Sequence, residues 1–167
     1  IFPSSLHGDY GLSNTMGYYN PYGNPSIKEE RLTRLFKDTI EKSYETDSIK
    51  FSDYDLVVIF HAGIGQDFSL PFLDPTPEDI PSTFIDSEMI QKYLGHPHVT
   101  VGDHVINKGI ILPETQNHLL YDISESMFSD AERPCEYQYG LTGTFSHMVG
   151  FAIGLPPLWN IETGESG

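Results

Sequence analysis

The chain has 167 residues, enough for one hydrophobic core of ordinary size, and its 38% hydrophobic and 13% aromatic content exceeds what a disordered chain of its charge carries. Nine Lys plus Arg against 24 Asp plus Glu give a formal charge of -15, a field that repels phosphate backbones and anionic lipid headgroups, so neither nucleic acid nor a membrane surface is an expected partner. Cys135 is the sole cysteine, which excludes an intrachain disulfide and a thiolate zinc cluster, and no apolar run approaches the roughly 20 residues that span a bilayer.

Residues 1–25 are rich in Gly, Asn, Tyr, Ser and Pro and show neither helical nor strand period, so they read as an irregular segment. Ser26 then offers an N-cap with Glu29 three residues later. Leu32, Leu35, Phe36, Ile40 and Tyr44 follow at helical spacing, which predicts an amphipathic helix over 27–44 with its charged face in solvent. The β-branched, apolar run over 56–60 predicts a strand buried on both faces, on which that helix packs, released into a tight turn at His61-Ala62-Gly63-Ile64-Gly65. This turn is not a phosphate cradle: Phe68 stands where a dinucleotide fingerprint needs its third glycine, and no Lys completes a P-loop. His61 is expected to be structural.

Four prolines within 70–81 exclude a regular helix there, and 87–94 predicts a short helix with Met89, Ile90, Tyr93 and Leu94 inward and a turn at Gly95. The stretches 99–106 and 109–112 predict short strands paired across Asn107-Lys108. A polar loop over 124–136 leads to a last, apolar helix over 140–154, stopped by Gly154 and the pair Pro156-Pro157. Helix followed by buried strand favours an α/β layer, and the chain as a whole is expected to form an α+β domain with a mixed sheet. His96 and His98 alternate and share a side of an extended chain, but Pro97 spoils a strand, no carboxylate follows at a matching offset, and with His104 they read as surface histidines. Asp74, Glu78, Asp79 and Asp86 supply hard oxygens without calcium-loop spacing, which leaves calcium an open alternative to a simply solvated acidic surface.

The segment His147-Met148-Val149-Gly150-Phe151-Ala152-Ile153-Gly154-Leu155-Pro156-Pro157-Leu158-Trp159 resembles, without a gap, the helix and turn of secreted bacterial zinc metallopeptidases of the immune inhibitor A type, which read His-Glu-x-x-His-x-x-Gly-Leu-Pro-Asp. The strand and glycine loop over 54–67 is similar to a second block of that family, so the likeness covers most of 54–167. It implies a zincin-like fold. In the intact motif two histidines one turn apart bind zinc, and the glutamate between them polarises the attacking water. Position 147 keeps its His. Met148 replaces the glutamate, Phe151 the second histidine and Pro157 the third ligand, so no intact metal site and no catalytic residue is expected. Loss of the base alone removes about a hundredfold to ten-thousandfold.

The whole chain, 1–167, is accordingly expected to be one metallopeptidase-like domain, a pseudoenzyme of a secreted protein without zinc, with Met148 and Phe151 buried as plugs of the old cleft. It begins at Ile1 with no leader and stops before the turn with which the family continues, the look of an excised or truncated piece. Its expected role is binding or scaffolding, through an extended peptide or another segment of the parent protein added to an edge strand. Two alternatives stand beside it: an active zinc peptidase drawing ligands from outside the motif, such as His61, His96 or His118, and a structural segment of an extracellular assembly.

Overall fold

The computed structural model describes residues 2–3, 8–68, 76–116 and 141–156. Its elements in chain order are α1 (Met16–Tyr19), α2 (Lys28–Asp47), β1 (Val57–Ile64), β2 (Thr83–Ile85), α3 (Ser87–Leu94), β3 (Val99–Val101), β4 (His104–Ile106), β5 (Gly109–Thr115) and α4 (Thr142–Ala152). The expected α+β class with a mixed sheet is what forms. Segment 1–25 is less irregular than expected, because α1 makes one helical turn that buries Tyr19.

In α2 the predicted stripe is the core: Leu32, Leu35, Phe36 and Ile40 are all buried. Its start corrects the capping-box expectation. Pro25 opens a 3₁₀ turn over Pro25–Ile27, Ser26 Oγ donates to Asn24 Oδ1 at 2.7 Å, and the helix begins at Lys28 with no side-chain cap. Glu29 and Glu30 in the first turn favour the helix dipole instead. The helix runs on past Tyr44 to Asp47 and ends on Ser48, in the left-handed region at φ 52.

The main sheet has the order β1-β5-β2, with β5 parallel to β1 and antiparallel to β2. This corrects the place given to the strand of 56–60. Among the described residues β1 lies at an edge, only Ile59 of it is buried, and Phe60 is 61% exposed. The strand buried on both faces is β5, whose Ile110, Ile111 and Leu112 are fully enclosed. Nor does β1 release into a tight turn at His61: it continues to Ile64 through a register shift between His61 and Ile64, where Gly63 takes φ 89.

The two faces of β5 meet different helices. A Cβ on Gly109 would collide with the Phe36 ring and lie 2.9 Å from the Val57 carbonyl oxygen, so the absence of a side chain is what lets α2 seat against this face. Ile111 joins the same cluster with Ile59 and Ile85. Ile110 and Leu112 point the other way. Phe84 stands opposite Ile110 in the register, and its ring centroid lies 6.0 Å from that of Phe151 in α4, which packs on β2 and β5.

Strands β3 and β4 form a separate hairpin, with Val99 opposite Ile106 and the turn at Gly102-Asp103. The expected pairing across Asn107-Lys108 is therefore wrong: those two residues carry the chain from the hairpin into the other sheet. Gly102, at φ 54, supplies the left-handed residue that a two-residue hairpin turn needs. His104 packs edge-on to Tyr44 and Phe51, with centroids at 6.0 and 6.4 Å.

Helix α3 has the predicted limits. Asp86 Oδ1 accepts the Met89 N–H at 2.8 Å as its N-cap, Ile90 is fully buried, and Gly95 at φ 83 is the left-handed C-cap. Tyr93 turns outward far enough for its hydroxyl to donate to Glu29 Oε2 at 2.5 Å, beside Lys92 Nζ at 3.0 Å, tying α3 to the first turn of α2. These two donors hold the Glu29 carboxyl below the usual carboxylate range, the tyrosine contributing most. Among the described residues no helix is long and apolar enough to cross a membrane.

Candidate functional site

Helix α4 is apolar but poor in intrinsic helix preference, with Gly143, Gly150 and the β-branched Thr142, Thr144 and Val149. Its ends are held by the sheet. At the C-terminal end Lys108 Nζ donates to the Ala152 carbonyl at 2.8 Å, placing a cation on the negative end of the helix dipole, and Gly154 closes the turn at φ 90. Near the N-terminal end Thr144 Oγ1 exchanges hydrogen bonds with Gln116, 3.1 Å from Nε2 and 3.2 Å from Oε1.

Gln116 is the hub of this anchor. Only 4% exposed, it also donates from Nε2 to Asp67 Oδ2 at 2.8 Å. Asp67 in turn accepts the Ser82 N–H at 2.9 Å and the Ser82 hydroxyl at 2.6 Å, just before β2. The end of β5, the residue leading into β2, the turn after β1 and the first turn of α4 are thus joined in one polar network. Sequence reasoning missed it, and the only signal was a polar residue placed directly after a buried strand.

The motif residues lie as follows. His147 is partly buried, and its ring meets that of Phe151 edge-on, with centroids 4.6 Å apart and planes at 73°. Phe151 is one turn further along, where the intact motif would aim a second imidazole at the same metal. Met148 lies one residue round the helix. Pro157, the third position, falls outside the described residues. These groups do not fit tetrahedral zinc: a phenyl ring lies against His147 where a nitrogen lone pair is needed, and a thioether stands at the position of the base. Among the described residues no three His, Cys, Asp or Glu side chains gather as a metal would require.

The expected full burial of Met148 and Phe151 is corrected: both are half-buried, and Phe151 lines an open cavity of about 350 Å³ together with Ser146, His147, Gly150, Leu155 and Pro156. The Phe151 ring also lies 6.0 Å from that of Phe84 on β2. The cavity wall is mainly apolar.

The other candidate residues serve separate ends. His61 faces backbone carbonyls with both ring nitrogens, Nδ1 3.0 Å from Ala62 O and Nε2 3.0 Å from Ile80 O. His96 and His98 do share a side, their rings stacked at 6.0 Å just beyond α3. Asp86 caps α3, and Asp79, 9% exposed, accepts from Thr76 Oγ1 at 2.6 Å. Glu78 crowds the Gly17 backbone of α1. His118, Asp74 and Cys135 lie outside the described residues. No protein-family model, curated protein or solved structure matches this chain.

Proposed function

We propose that the chain is a catalytically inactive, zincin-like metallopeptidase module of a secreted protein, and that it holds an extended peptide along the outer edge of β2, beside α4. One observation carries the reading: the Phe151 ring lies against His147 at 4.6 Å, where the resemblance would set a metal ligand, and the two help to wall a mainly apolar cavity on α4, a helix that packs on β2. Zinc chemistry needs nitrogen or oxygen donors and a base there. An apolar pocket beside a strand edge needs neither, since backbone groups supply affinity and the pocket supplies selection. Among the described residues no strand pairs with the outer edge of β2.

Metal analysis tests the inactive reading. After dialysis the protein is expected to hold far less than one zinc per chain and to show no peptidase activity. Met148→Glu with Phe151→His rebuilds only the two-histidine half of a site, so weak binding and little hydrolysis are expected, and adding Pro157→Asp strengthens binding. Stoichiometric zinc in the unmodified protein, lost on His147→Ala, overturns the proposal in favour of an active peptidase with ligands from elsewhere.

A further inference from the structure

We draw no further inference here: the strongest candidate, the apolar surface of α4 and the turn after it, where Phe145, Ile153 and Leu155 are exposed, carries none, because nothing in the structure shows what covers it.

Discussion

Replacing Gln116 with Ala removes the group that joins Asp67 to Thr144, and the structure sets the size of the effect. Two partners are lost. Asp67 is exposed and retains both bonds from Ser82, so water replaces the missing donor at modest cost, while Thr144 is only partly buried and its hydroxyl turns to solvent. A bond to a charged acceptor contributes about 1.5 to 3 kcal/mol and a neutral one about 1, and with rehydration of both partners the expected loss is about 2 kcal/mol. Urea unfolding should show a lower midpoint at unchanged slope. Amide exchange should quicken in α4 before the rest of the protein opens, because the bond to Thr144 holds its first turn. Gln116→Glu is the sharper probe: it sets a second carboxylate about 3 Å from Asp67 Oδ2, so one of the two must take a proton and stability should recover as pH falls toward 5. A loss below about 0.5 kcal/mol for Gln116→Ala, with α4 exchange unchanged, would refute the anchoring role.

Gly109→Ala should destabilise by about 1 to 3 kcal/mol in the same assay, because the new methyl meets the Phe36 ring and the Val57 carbonyl oxygen, and of these only the ring can shift. Alkaline titration probes the buried phenols. Burial, with the bond its hydroxyl donates to Asp38, pushes Tyr19 up to about 12, the donor from Asn14 opposing. The folded state thus holds that proton more tightly than the unfolded chain. Its contribution is complete below pH 10 and lost between about pH 10 and 12, amounting to about 2 kcal/mol. Tyr10, bonded to Asp47, is shifted the same way, so Tyr19→Phe should reduce the alkaline slope of unfolding free energy without abolishing it.

The helices were legible because their signals are local. The α2 stripe, the α3 limits with Gly95, and the Gly154 stop of α4 each follow from spacing and one cap residue. Which apolar strand is central was not legible, since Val57-Val58-Ile59 and Ile110-Ile111-Leu112 look alike until pairing decides which one has neighbours on both sides. The Ser26 cap failed through competition, Asn24 and Pro25 drawing that residue into a 3₁₀ turn. The Gly102-Asp103 turn is readable from its glycine, whereas Asn107-Lys108 only precedes a strand that pairs elsewhere. At the site the apolar replacements could be read off, but the open space beside Phe151 could not, because it depends on how Leu155 and Pro156 turn back along α4, where the Leu155 N–H donates to the Gly150 carbonyl.

The Lys108 bond to Ala152 also bears on the order in which the molecule assembles. Helix α4 has no basic residue in its last turn, no side-chain cap in its first, and two internal glycines that each cost about 1 kcal/mol relative to alanine. A peptide of 141–156 should therefore show little helicity in water. The cation and the hydroxyl acceptor it lacks sit on residues that flank β5, at positions 108 and 116, so α4 gains its supports only after β5 has paired. Substitutions along α4 should accordingly speed unfolding and leave the folding rate nearly unchanged. The face that would meet a peptide would be the last part of the molecule to form and the first to loosen.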